Sequence, residues 1–249
     1  MADKTNFHTE MVELPSQGYF YFDGHPLSSG KVEVKYMTAK EEDILTSQNL
    51  IQQGVVIDKL LESLIVDKSI KVDDMFIGDK NAIMVASRIL GYGKDYEFTY
   101  GDEEYTVDLS KLEPEDINFS EFTKGVNEFS FELPNAKRVI TFKLLTGNDE
   151  KQIDAEIKAT QKISKEQSSE LTTRLKTMIL SVDGKSERKY VNNFVDNEFL
   201  SRDSLAFRRH LSSVTPDVDM STTVVDSTGK DMVVTIPVTI RFFWPSTRV

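Results

Sequence analysis

The sequence predicts an α+β fold, in which short helical bundle units are combined with antiparallel β-hairpins. Two observations carry this expectation. Between Met37 and Tyr96 apolar residues recur at helical spacing, and from Tyr96 the period drops to two. Beyond that point turn dipeptides separate strand-like from helix-like stretches.

Residues 1–13 read as a mobile N-terminus. The stretch LPSQGYFYFDGHPLSSGKVEVKYM reads as strand, turn, strand, with turns at Asp23-Gly24 and Ser28-Ser29-Gly30. Val32, Val34 and Tyr36 alternate with Lys31, Glu33 and Lys35, as in a half-buried strand. Three helices follow. Thr38 and Glu41 form a capping box ahead of Ile44, Leu45 and Ile51. Ile57, Leu60, Leu61, Leu64 and Ile65 line one face of the second helix. The third opens near Asp79, its expected N-cap, and ends at Gly91 and Gly93. Arg88 is expected to pair with a nearby acid.

YEFTYGDEEYTVDLS is a hairpin turning near Gly101-Asp102. LEPEDINFSEF is a polar connector, and a division of the chain into 14–112 and 113–249 falls at its start; one continuous domain is the other reading. Phe129 and Phe131, then Val139 to Leu145, read as a strand pair about Pro134-Asn135. A long, mostly solvated helix starts at Gly147-Asn148, capped by Asn148 or Asp149, with a sparse stripe of Ile153, Ile157 and Ile163. Leu171 to Val182 reads as a more apolar helix. Tyr190–Phe199 and Ser204–Leu211 read as two short ones, the second capped by Asp203 or Ser204 and carrying the basic cluster FRRH at its C-terminus. The last hairpin turns at Asp226 to Gly229, with Val233, Ile236, Val238, Ile240 and Phe242 as core candidates.

The chain has 249 residues, 39% hydrophobic and 29% charged, enough for a sizeable core. No apolar run approaches the ~18 residues of a membrane span. The start lacks the basic and apolar parts of a signal peptide, so a cytoplasmic setting is expected. There is no cysteine, which excludes disulfides, thiolate metal sites and cysteine nucleophiles. His8, His25 and His210 are far apart, so no metal site is expected. A formal charge of −11 argues against nucleic acid and leaves either plain solubility or contact with a basic partner.

No nucleophile elbow, dinucleotide turn or phosphate loop occurs. Neither a catalytic residue nor a cofactor is nominated, and an enzyme is not expected. The partner-contact candidates are Tyr19, Phe20, Tyr21 and Phe22, an aromatic run, and Phe242, Phe243 and Trp244, an apolar terminus. Each group either packs into the core or is offered to another protein.

Several stretches together resemble one family, the baseplate hub proteins of T4-like tailed bacteriophages. They are LPSQGYFY, MTAKEEDILTS, GDKNAIMVASRILGYGKDY, FKLLTGNDE, TTRLKTMILSVDG, DSLAFRRHL with TPDVDM, and IPVTIRFFWP, in order from about residue 14 to 245. The resemblance implies a structural or assembly role through protein–protein contacts in a contractile tail. It implies other hub proteins and the tape-measure protein as partners. The setting is then the host cytoplasm during assembly, followed by the virion baseplate for a retained subunit; a transient assembly chaperone would leave. A small acidic hydrolase is the alternative of a different class. Relatives carry cysteine pairs in the two hairpins that here read YEFTYGDEEYTVDLS and VVDSTGKDMVVTIPV, which implies a zinc knuckle. This chain has no cysteine, so its hairpins must hold by turn chemistry and packing.

Overall fold

Strand β1 (Thr9–Glu13) pairs antiparallel with β2 (Lys31–Lys35), setting Val12 opposite Val32 with both buried. The structure is a computed structural model describing residues 8–101, 103–163, 169–225, 227–238 and 240–243, without the side chains of 163 and 240. The mobile segment expected over 1–13 is therefore corrected for residues 9–13, which are held by a strand ladder; residues 1–7 lie outside the described part. The strand expected at Leu14 to Phe22 does not form either. Gln17 and Gly18 both take positive φ, 50° and 72°, which folds the chain into turns. A Cβ at Gly18 would lie 2.5 Å from the Ser28 carbonyl oxygen, so only glycine fits.

The helical unit follows as α1 (Ala39–Thr46), α2 (Gln48–Gln53), α3 (Val56–Leu64) and α4 (Ile77–Tyr92). The capping box at Thr38 is present: the Glu41 carboxylate accepts from the Thr38 backbone N–H at 3.0 Å. The apolar series from Ile44 to Ile51 is broken at Ser47, which is extended, so one expected helix becomes two. Leu60, Leu61 and Leu64 of α3 are fully buried. In α4, Gly91 lies against the Met37 methyl, and a Cβ there would require that flexible side chain to move.

The hairpin β3 (Asp95–Tyr100) and β4 (Glu103–Asp108) pairs Tyr96 with Val107. A three-stranded antiparallel sheet follows, in the order β5 (Phe129–Glu132), β6 (Val139–Phe142), β7 (Ile179–Val182). Between β6 and β7 lie α5 (Gly147–Ile163) and α6 (Glu170–Met178). The helix expected to reach Val182 thus stops at Met178. Its last four residues, ILSV, are a mostly apolar, β-prone run with an open partner in β6, and sheet pairing overrides the helical period. α5 is capped from Thr146, whose N–H donates to Asp149 at 3.0 Å, while Asn148 turns away to Asp74.

The chain closes with α7 (Arg188–Asn197), α8 (Ser201–Val214) and the hairpin β8 (Ser221–Val225) with β9 (Asp231–Thr235). α8 starts three residues earlier and ends three later than expected, so FRRH is not in its last turn. In the hairpin, Thr223 faces Val233 and Thr222 faces Val234. Val233 is therefore not core but 70% exposed, and Val224 and Val234 point inward instead. The expected Asp226 turn residue and Trp244 lie outside the described part.

One apolar cluster draws on both sides of residue 112. Phe20 meets Phe129 at 5.0 Å between ring centroids and Phe122 at 5.6 Å. The Tyr19 hydroxyl donates to the Phe122 carbonyl at 2.9 Å, and the Gly125 N–H donates to the Tyr19 carbonyl at 2.8 Å. Among the described residues no helix is long and apolar enough to cross a membrane.

Candidate functional site

A buried gathering of polar groups lies where the turn after β1 crosses the start of α4. Asp79 is the third residue of α4, with Phe76 before the helix as its N-cap. The expected N-cap role of Asp79 is corrected. Its carboxylate instead leaves the helix and accepts from the Ser16 N–H at 3.0 Å, the Ser16 hydroxyl at 2.7 Å and the Tyr21 hydroxyl at 2.7 Å. The Tyr21 oxygen in turn accepts from the Phe76 N–H at 3.0 Å. Ser16, Tyr21 and Asp79 are all buried.

Burial pushes the Asp79 carboxyl above its usual range, against the lowering pull of its donors; the nearby Asp217 adds to the rise. Burial and the Asp79 charge likewise push the Tyr21 phenol up. Asp217 is also held above its ordinary value by burial, while the Asn81 amide donates to its two oxygens at 2.9 and 3.2 Å. A Cβ at Gly78 would fall 1.9 Å from the Pro216 carbonyl oxygen, so α4 and the TPDVDM segment touch backbone to backbone. His25 stacks on Tyr21 at 4.9 Å, and its Nδ1 accepts from the Leu27 N–H at 3.2 Å. Ser16 thus sits beside a carboxylate, and the nearby imidazole serves the backbone. The group ties three segments together and keeps its reactive oxygens out of solvent.

Arg88 was expected to meet an acid. Its guanidinium instead serves three carbonyls, those of Phe242 at 2.9 Å, Gly93 at 3.0 Å and Asp95 at 3.4 Å. It also lies over the Tyr92 and Tyr96 rings. Two of these carbonyls follow α4 directly, and the third comes from the short turn at Ile240–Phe243, a partner that no local spacing reveals.

The partner-contact candidates separate. Phe20, Tyr21, Phe242 and Phe243 are buried in the protein's own core, which corrects them as contact residues; Tyr19 is half-buried against Phe119. Phe22 alone among the described candidates is open, at 62% exposure. Trp244 lies outside the described residues.

A groove of about 960 Å³ runs between β1, α4 and the connector. Val12, Ala82, Val85 and Ile89 form its floor, and Glu13, Glu113, Glu115 and Asp116 its rim. Elsewhere the tips of the β3–β4 and β8–β9 hairpins meet. The Ser227 N–H donates to Glu103 at 3.2 Å, and the Tyr105 hydroxyl donates to the same carboxylate. This polar contact joins the two hairpins in which the resemblance implied a metal knuckle. Among the described residues no three His, Asp or Glu side chains form a group able to hold a metal ion.

Sequence reasoning missed the roles of Ser16, Asn81 and Asp217, and it read Asp203 as a cap of α8. Asp203 does not cap α8. It accepts from the Asn135 N–H at 2.8 Å and the Ala136 N–H at 3.0 Å, fixing the turn between β5 and β6. Each of these residues acts on a segment distant in sequence. Compared with family models, curated proteins and solved structures, the chain finds no match.

Proposed function

We propose that this protein is a structural or assembly component of a contractile phage tail baseplate hub and acts through protein–protein contacts. The observation that supports this reading is how the stretches resembling that family meet in space. LPSQGYFY is bound to GDKNAIMVASRILGYGKDY through Ser16, Tyr21 and Asp79. The same helix is bound to TPDVDM through Asn81 and Asp217, and to IPVTIRFFWP through Arg88 and Phe242. Their polar residues work as fasteners of one scaffold. Chemistry of a catalytic kind would leave some of them open to a substrate.

On this reading the partners are other hub proteins and the tape-measure protein. The setting is the host cytoplasm during assembly, followed by the virion baseplate if the chain is retained. Co-expression of the tagged chain with each tail component, followed by pull-down, tests the proposal. Stable recovery of a hub or tape-measure protein is expected, and recovery of none would sink it. Mass spectrometry of purified virions then separates a retained subunit from an assembly factor that leaves.

A further inference from the structure

The solvent side of α8 stands out from the rest of an acidic chain. Its exposed positions are Ser201, Arg202, Leu205, Arg208, Arg209, Ser212 and Ser213, one continuous stripe at helical spacing. None is an acid, although the chain carries 41 Asp and Glu against 30 Lys and Arg. The one acid of the helix, Asp203, is turned inward and already taken by the β5–β6 turn. No carboxylate lies three or four residues from any of the three arginines within the helix. Among the described residues none of the three has an ion pair or hydrogen bond from its guanidinium. By contrast, Arg138 and Arg174 are both paired. Nor do these arginines neutralise the helix end, since the last turn holds no base.

We propose that this face is a docking surface for an acidic amphipathic helix of a protein partner. Leu205 lies amid the arginines and is 43% exposed, and Leu200, just before the helix, is 51% exposed. From Arg202 to Arg209 the stripe runs about 10 Å, two helical turns. A partner helix with carboxylates one turn apart, flanking an apolar ridge, matches both the charges and the leucines. Arginine forks suit carboxylates in two-point contact and are enriched at interface centres. The opposite face is anchored by Phe207 and Val214, so the arginines stand on a fixed platform. A nucleic acid is the poorer fit. Three arginines around a leucine are a small basic footprint, and the formal charge of −11 repels a polyanion.

The test uses the whole chain and a fluorescent synthetic helix with glutamates on either side of a leucine ridge, read by anisotropy at low and physiological salt. Binding is expected to weaken with salt, and about tenfold in the triple variant R202E/R208E/R209E. Leu205→Ser should cost about fivefold. A lysine version of the peptide should bind the triple variant better than the native chain. Circular dichroism and melting controls show that each variant is folded, and R208Q/R209Q replaces the triple variant if it is not. The proposal is overturned if the native chain ignores the peptide or if the variants bind it equally. It is also overturned if a leucine-free peptide, a single-stranded oligonucleotide or phosphatidylserine vesicles bind as tightly. It stands apart from the tail reading, because failure to recover hub proteins would leave this result unchanged.

Discussion

At the scale of single residues, the buried contact around Asp79 makes a definite claim on stability. Tyr21→Phe removes one donor from the carboxylate and strands the Phe76 N–H, so a loss of about 1–3 kcal/mol is expected in urea unfolding. A change below about 0.5 kcal/mol would show that the knot does not hold the fold. Glu41 makes a claim about pH. Burial alone would raise its carboxyl, but the Lys35 ammonium at 2.7 Å, the Ser63 hydroxyl and Thr38 together bring it down to about 2 from an ordinary 4.5. A folded value below the unfolded one gives stability that is full above about pH 4.5 and is lost as pH falls toward 2. Glu41→Gln should therefore be less stable than the native chain at pH 6, with the gap narrowing as pH falls below 4. A constant gap across that range would contradict the assignment. Thr38 and Glu41 were legible in the sequence because a capping box is local. The partners of Asp79 and Arg88 were not, since Ser16 lies 63 residues from Asp79 and Phe242 lies 154 from Arg88.

At the scale of elements, periodicity predicted the type of most segments and missed where pairing decides. The face of α3 was readable from its leucines, all of which are buried. The stretch from Ile179 to Val182 was not, because a short run with three apolar residues of four fits a helix or a buried strand equally well. Register was the other gap. Val233 and Val234 are chemically identical neighbours, and only the pairing with β8 decides which faces in. Val234→Ala should cost about 2 kcal/mol, whereas Val233→Thr should stay within about 0.5 kcal/mol. Thermal melts of the two variants check this, and equal losses would mean that the hairpin is slipped by one residue. The acidic hairpin tips carry a smaller claim, that Glu103→Ala loosens the contact with Ser227 without unfolding the body.

At the scale of the whole molecule, the polar connector that starts at Leu112 was the natural place to divide the chain, and the core runs through it. Phe20 from the N-terminal region packs among Phe119, Phe122 and Phe129 from the other side. A single cooperative unfolding transition is expected by both calorimetry and tryptophan-independent circular dichroism. Two separated transitions, or stable folding of 14–112 alone, would contradict it. Phe20→Ala should lower stability by about 3–5 kcal/mol, because the ring leaves a hole that aromatic neighbours cannot close. The α+β class was legible from the change of period, but the unity of the core was not, since aromatic residues at both ends look alike whether they face inward or outward.

The hold of Arg88 on the Phe242 carbonyl has a consequence in time. α4 lies in the first half of the chain, yet its buried Arg88 finds one of its partners about 150 residues later. At roughly 5–20 residues per second, the ribosome delivers that partner some 8–30 s after the helix itself has emerged. For that interval the guanidinium has only the nearby Gly93 and Asp95 carbonyls, and this side of α4 is completed last.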